Sequence, residues 1–173
     1  MICATGQQGC ALAMRRSPTP DGMAATERWL DRHPASRVLV HVDPFDPWAK
    51  GELGKSALEL AAHAVDEGHL LVYWYGYSQP DQATWAYHAL AELTGERLWC
   101  ADMMIIDEHG AGQPGDLGHA TTPGTGCGVV LGSVTADTEA ACERLGLAVA
   151  RAYRDSTLPS GQRGSVRFSV IGP

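Results

Sequence analysis

The segment that most directly indicates chemistry is HVDPFDPW, residues 41–48, which follows the apolar run at 38–40. It combines two carboxylates and a histidine with two aromatic rings. In open α/β sheets, ligands bind beyond the carboxyl ends of strands, which is where this segment lies. The Asp43 carboxylate and the rigid Pro44 carbonyl can both accept hydrogen bonds from one amino group, while an aromatic neighbour offers a stacking face. The segment therefore predicts a site that holds an amine.

The same segment carries the candidate catalytic residues. Proximity and partial burial can push the pKa values of Asp43 and Asp46 apart, which would give one acid and one base. His41 is a third candidate for proton transfer. Because it alternates with Val40 and Val42 on the strand, His41 is equally well explained as a hydrogen-bonded core histidine.

An apolar wall is expected beside these groups. The predicted substrate-binding residues come from the segment itself and from the strand at 70–77, and they are Pro44, Phe45, Trp48, Trp74 and Tyr75. The alternative interpretation is a simple turn, in which Asp43 caps local amides and the aromatic rings belong to the core.

Residues 49–56, AKGELGKS, fit the loose spacing of a phosphate-binding loop, and MMIIDE at 103–108 looks like its acidic partner strand. A working loop of this kind leaves its strand directly, whereas here residues 44–48 intervene with two prolines. We therefore predict a turn followed by a helix start, in which Ser56 and Glu59 form a capping box.

The elements that must position these residues alternate between apolar strands and amphipathic helices, which indicates a single α/β unit. Predicted strands lie at 37–43, 70–77, 98–106, 128–134 and 165–171, the last as an edge or antiparallel strand, and predicted helices at 24–32, 57–67, 81–93 and 135–153. The Gly- and Pro-rich loop at 109–126 is either a lid over the site or disordered.

Composition restricts the function further. The 173 residues suffice for one domain with a core, and a net charge of −7 disfavours nucleic acid as a partner. No apolar run is long enough to span a membrane, and the N-terminus does not read as an export signal, so a cytoplasmic location is expected. The five cysteines are odd in number and widely spaced, which favours free thiols and predicts no metal site.

Five segments resemble, in matching order, the large-subunit ribosomal RNA adenine-N6 methyltransferases. The motif of that family reads Asp-Pro-Pro-Tyr or Asp-Pro-Pro-Phe, and DPF at 43–45 is similar to it. The likeness covers about residues 21–173, and its segments are DGMAATERWL, RVLVHVDPF, LLVYWYGY, PGTGCGVVLGS and GSVRFSVIGP.

The resemblance implies an α/β fold with a Rossmann-like methyltransferase-type sheet, truncated at the N-terminus and mostly parallel, with an antiparallel C-terminal strand. It implies one domain at 21–173 after an irregular segment at 1–20. It also implies that Asp43 and Pro44 hold the acceptor amine and that Asp21 lies near the adenine of S-adenosylmethionine. The family's glycine loop for this donor has no counterpart before Asp21. S-adenosylmethionine is therefore only a candidate, and no cofactor is assigned with certainty.

Three functions remain open. The first is a repurposed acid/base enzyme that acts on a small amine-bearing substrate at residues 43–46. The second is a methyltransferase that uses S-adenosylmethionine and is completed by a partner chain, and the third is a non-catalytic scaffold. A truncated sheet with an uncovered strand predicts a homodimer in all three cases.

Overall fold

The computed structural model describes residues 2–4, 22–33, 37–107, 125–153, 156–157 and 163–172. Within them the chain forms strands β1 to β7, helices α1 to α4 and one short 3-10 helix. In chain order these are β1 Ile2–Ala4, α1 Gly22–Arg32, β2 Val38–Val42, α2 Ala57–Asp66, β3 Leu70–Tyr77, the 3-10 helix Pro80–Gln82, α3 Trp85–Leu93, β4 Leu98–Asp107, β5 Gly126–Gly132, α4 Ala136–Tyr153, β6 Ser156–Thr157 and β7 Arg163–Ile171.

The strands hydrogen-bond in the order β1-β2-β3-β5-β4-β7-β6. β2 and β3 are parallel, with Leu39 opposite Leu70 and Val42 opposite Tyr73. In contrast, β1 is antiparallel to β2, β4 to β7 and β6 to β7. The prediction of a mostly parallel, Rossmann-like methyltransferase-type sheet with a single antiparallel strand at its C-terminus is therefore wrong.

In the middle of the sheet, β5 also runs antiparallel to its neighbour β4. At its start, Thr125 O accepts a hydrogen bond of 2.9 Å from Ile105 N near the end of β4. At its end, Gly132 lies beside Leu98 at the start of β4. The two strands consequently run in opposite directions. A buried apolar run looks the same whichever way its neighbours run, which is why the sequence could not reveal this.

The described residues cluster into two compact units. Those of the first lie within 1–74, 86–98 and 130–134, and those of the second lie within 75–85, 99–129 and 135–173. In the first unit, Val38, Val40 and Val42 of β2 are buried, while the residues between them are only half-buried. This alternation follows from the two-residue period of a strand, and it places His41 on the face opposite the valines, as predicted.

The capping box predicted at the start of α2 is confirmed. Ser56 Oγ accepts from Glu59 N, and the Glu59 carboxylate accepts from Ser56 N at 2.7 Å. The helix is followed by Gly68, whose φ of +77° lies in the left-handed region that favours glycine. Seven of its ten residues are buried, so α2 forms the apolar centre of the first unit.

The helix predicted at 81–93 begins later than expected. Pro80 starts a 3-10 helix, and the Gln82 side chain accepts hydrogen bonds from Ser78 N and Gln79 N. Thr84 then takes a φ of +64°, and α3 begins at the next residue. Thr84 N lies 3.4 Å from the Asp102 carboxylate, a long-range contact that no local pattern encodes.

In the second unit, α4 packs on β7 through a close approach at Gly146. A Cβ at this position would lie 2.2 Å from the Phe168 ring. α4 was predicted at 135–153 and β7 as an edge or antiparallel strand, and the observed helix and the antiparallel pairing of β7 with β4 confirm both elements.

Candidate functional site

A cleft of about 590 Å³ opens at the C-terminal end of β2, within the first unit. This volume is in the range of small-molecule sites. Its lining comes from the first turns of α1 and α2, from β2 and from the loop after β2, and the residues are Gly22, Met23, Thr26, Val40, His41, Val42, Asp43, Pro44, Phe45, Asp46, Ala57 and Leu60. We refer to it as the β2 cleft.

The walls of the β2 cleft combine apolar and polar surface. Val40, Val42 and Leu60 contribute buried aliphatic side chains. Thr26 adds little polarity because its hydroxyl already donates to Gly22 O at 2.8 Å. The charged and imidazole groups of the lining therefore come from β2 and the loop after it, as His41, Asp43 and Asp46.

The loop at 43–46 presents its functional groups outward. Asp43 is exposed, and Phe45 is fully exposed. Asp46 differs from Asp43, because its Oδ1 accepts hydrogen bonds from Trp48 N at 3.0 Å and Ala49 N at 3.1 Å. An Asp that bonds the backbone two and three residues onward fixes a turn, so Asp46 shapes the loop that holds Asp43 and Phe45 in the open.

The segment at 49–56 is the predicted turn and helix start. Gly51 N donates to Lys55 O at 2.9 Å, and Gly54 has a φ of +76°. The two lysines form ion pairs, Lys50 with Glu59 and Lys55 with Glu27. Hydrogen bonds from Lys50 and from Ser56 hold the pKa of Glu59 down at about 2. The chain's own carboxylate thus occupies the helix N-terminus where a phosphate-binding loop would receive its ligand.

The structure brings five of the predicted site residues together and leaves the others apart. His41, Asp43, Pro44, Phe45 and Asp46 line the β2 cleft. Among the described residues, its lining includes none of the three further aromatic residues predicted for the wall, namely Trp48, Trp74 and Tyr75. Trp48 is 62% and Trp74 40% exposed, whereas Tyr75 is buried. Asp21 lies outside the described residues.

The contribution of α1 to the β2 cleft was not predicted. Gly22, Met23 and Thr26 form part of the lining. Only the packing of α1 against α2 brings them to the end of β2, and such long-range contacts leave no mark in the local sequence. The amphipathic pattern of α1 showed that the helix exists, but it did not show where the helix docks.

A second polar cluster, also missed, lies in the second unit. Asp102 is 2% exposed and accepts hydrogen bonds from Tyr75 Oη at 2.7 Å and from Tyr77 Oη. Tyr75 Oη also lies 3.4 Å from Cys100 Sγ. Burial, more than any other cause, raises the pKa of both tyrosines and raises that of the Cys100 thiol to about 11. These groups stay protonated at neutral pH and tie the strands together.

Sequence signals for this cluster existed. Tyr75 and Tyr77 alternate on β3, and Asp102 interrupts an apolar strand, where a carboxylate requires donors. Gly126 and Gly128 alternate on β5 opposite the two rings. A Cβ at Gly126 would lie 2.3 Å from Tyr77 Oη, and one at Gly128 would lie 2.4 Å from Tyr75 Oη.

Among the described residues, no group of three or more His, Cys, Asp or Glu side chains is arranged to hold a metal ion. Within the same residues, no helix combines the length and apolarity that crossing a membrane requires.

Comparison with known proteins gives few matches. No protein-family model matches the chain, and no curated protein does. Among solved structures, the chain is similar to protein LPL1258 from Legionella pneumophila, a DUF519 protein, at a TM-score of 0.47 and 12% identity. The match covers 78% of this chain and 43% of the Legionella protein, so the chain spans less than half of that protein's length.

Proposed function

We propose that the chain binds, in the β2 cleft, a small molecule that carries an amino group on a flat aromatic ring, and that it acts on this amino group by proton transfer through Asp43. The observation that carries the proposal is the position of Asp43, Pro44 and Phe45 at the mouth of a cleft of about 590 Å³. The aliphatic part of the lining receives the ring, and the polar end of β2 receives the amine.

Two acceptors for the amine follow each other in the chain. The exposed Asp43 carboxylate accepts one N–H, and the Pro44 carbonyl, on a backbone whose φ the proline ring fixes, accepts a second. Hydrogen bonds to a charged acceptor are the stronger kind, so Asp43 contributes most to holding the amine. The fully exposed Phe45 ring offers the stacking face.

In this proposal, Asp46 does not form the expected acid/base pair with Asp43, and His41 has a separate role. Asp46 gives one oxygen to the backbone of Trp48 and Ala49, so its part in the proposal is to hold the loop. His41 is half-buried and lines the same cleft as Asp43. It is therefore the second group that can take up a proton from the substrate.

Methyl transfer from S-adenosylmethionine is the second candidate function, and the Asp-Pro-aromatic order at 43–45 favours it through the family resemblance. The described residues do not fit the methyl donor by themselves. The glycine-bearing turn at 51–54 is closed by its own backbone bonds and flanked by ion-paired lysines. For methyl transfer, a partner chain would therefore have to supply the site that binds S-adenosylmethionine.

The setting of the proposed activity is reducing and cytoplasmic. Among the described residues, Cys100 and Cys142 are free thiols, which supports a compartment that keeps cysteines reduced. Homodimerisation stays a prediction. An uncovered strand at β2 no longer supports it, because β2 is paired with β1 on one side and with β3 on the other.

The test is isothermal titration calorimetry with a panel of aromatic amines that includes adenosine. Asp43→Asn keeps the size of the side chain and removes its charge. We expect the affinity of the best ligand to fall about tenfold or more, because a hydrogen bond to a charged group contributes about 1.5–3 kcal/mol. S-adenosylmethionine is titrated in parallel, and saturable binding would favour methyl transfer.

The matched control is Asp31→Asn, which removes the same charge from an exposed position on α1. It should leave the affinity within about twofold of the wild type, because an exposed charge away from the ligand is screened by salt. Equal losses in both variants would show an effect of net charge alone, and the proposal would then fail. A panel without any saturable ligand would favour the non-catalytic scaffold.

A further inference from the structure

We infer that the β2 cleft accepts amine-bearing aromatic molecules without a phosphate group and rejects the same molecules when they carry one, because the chain fills or neutralises the positions that would bind phosphate. This inference rests on the proposed function and specifies its substrate class. Free bases, nucleosides and simple aryl amines belong to the accepted class, and nucleotides belong to the rejected one.

The lining of the cleft is the first support. Among the described residues that line it, two carry carboxylates and none is a lysine or an arginine. Asp43 and Asp46 therefore place negative charge at the same end as the proposed amine site. A phosphate group there meets two like charges, in a protein whose net charge is −7.

Three nearby cations are already matched with carboxylates. They belong to α1 and to the segment between the cleft loop and α2. Arg28 pairs with Glu52 at 3.3 Å, and Lys50 pairs with Glu59. Lys55 pairs with Glu27, a residue that is only 7% exposed. Each pair leaves no net charge, so a phosphate would have to displace a carboxylate to gain a cation.

The N-terminus of α2, which contributes Ala57 to the lining, is the usual place for an anion. Here the Glu59 carboxylate lies on it, accepts from Ser56 N at 2.7 Å and contacts Lys50. The low pKa of Glu59, about 2, keeps this carboxylate charged at neutral pH. Glu59 thus takes the place of a phosphate at this helix end and contributes to the discrimination together with Asp43 and Asp46.

The experiment compares adenosine with adenosine 5′-monophosphate, which differ only by the phosphate, by calorimetry on the intact chain. We expect adenosine monophosphate to bind at least about tenfold more weakly, since two carboxylates line the cleft and repel the phosphate. In Glu59→Gln the ratio of the two dissociation constants should fall by about threefold or more, because Lys50 and the helix end become available to phosphate. Glutamine retains the capping box, so this variant is expected to fold.

Glu92→Gln is the control, since it removes the same charge from an exposed position on α3 and should leave the ratio unchanged. If adenosine and adenosine monophosphate bind the wild type with dissociation constants within twofold of each other, the inference is overturned while the proposed function stands. Backbone N–H groups of α1 would then be the phosphate site to test. An unchanged ratio in Glu59→Gln would overturn the role of Glu59. If neither compound nor any other aromatic amine binds, the proposed function itself fails.

Discussion

Side chains of one type carry different roles at neighbouring positions of this protein. Asp43 and Asp46 are three residues apart, yet the first is an exposed carboxylate at the mouth of the cleft and the second bonds the backbone of its own loop. Asp102, in contrast, is buried and accepts from two tyrosines. Hydrogen-bond partners therefore decide whether a carboxylate in this chain can meet a ligand.

Some positions of this protein have room only for glycine, and Gly128 is the clearest case. A Cβ there would lie 2.4 Å from Tyr75 Oη and 2.5 Å from its Cζ. Tyr75 cannot move aside easily because its hydroxyl is bonded to Asp102. Gly128→Ala should therefore lower the free energy of unfolding by about 1–3 kcal/mol, as overpacking in a core usually does. Urea denaturation followed by circular dichroism measures this loss.

Gly95→Ala is the matched control for that substitution. An added Cβ at Gly95 meets nothing within 4 Å, so its stability should stay within about 0.5 kcal/mol of the wild type. Equal stabilities of the two alanine variants would contradict the close approach between β5 and the Tyr75 ring.

At the scale of elements, α2 has the most completely specified start. Its first turn combines the Ser56 and Glu59 capping box with the Lys50 ion pair, and its first residues line the β2 cleft. The cap and the ion pair fix the direction in which α2 leaves the loop, and this direction sets one wall of the cleft.

The pH dependence of stability should report this helix start. The pKa of Glu59 falls from 4.5 to about 2 in the folded chain, mainly through the hydrogen bond from Lys50. A lowered pKa means that its contribution is present above the unfolded value and is lost as the pH falls toward 2. We expect the stability advantage of the wild type over Glu59→Gln to shrink as the pH falls from 5 to 3.

Urea midpoints of both proteins at several pH values in that range provide the measurement. Ser56 and the capping hydrogen bonds are present in both proteins, so the comparison isolates the charge of Glu59. Curves that remain parallel down to pH 3 would show that the carboxylate has its ordinary pKa and that the Lys50 contact is weak in solution.

At the scale of the whole molecule, the acidic surface opposes nucleic acid. Proteins bind nucleic acid nonspecifically by neutralising phosphates with lysine and arginine, and this chain has 13 such residues against 20 acidic ones. Three of those cations are also held by carboxylates beside the β2 cleft. The shortage of available positive charge favours a small-molecule ligand.

We expect single-stranded and duplex RNA to bind with dissociation constants weaker than about 100 µM at physiological salt, the weak end of nonspecific binding. Fluorescence anisotropy with labelled RNA at low and physiological salt provides the measurement, with a basic protein of similar size as the positive control. Micromolar binding that weakens as salt increases would mean that the charges form a basic surface, and the preference for small ligands would fail.

The sequence by itself predicted the four helices, five of the seven described strands and the loop after β2 that lines the cleft. The capping box of α2, the limits of β3 and the residues of this loop depend on residues within a few positions of one another, and such patterns can be read locally. Tertiary structure alone decided the strand directions, the α1 wall of the cleft and the donors of Asp102. Apart from the β6–β7 pair, these features join segments that are far apart in the chain, and local propensity carries no information about which distant partner a segment meets.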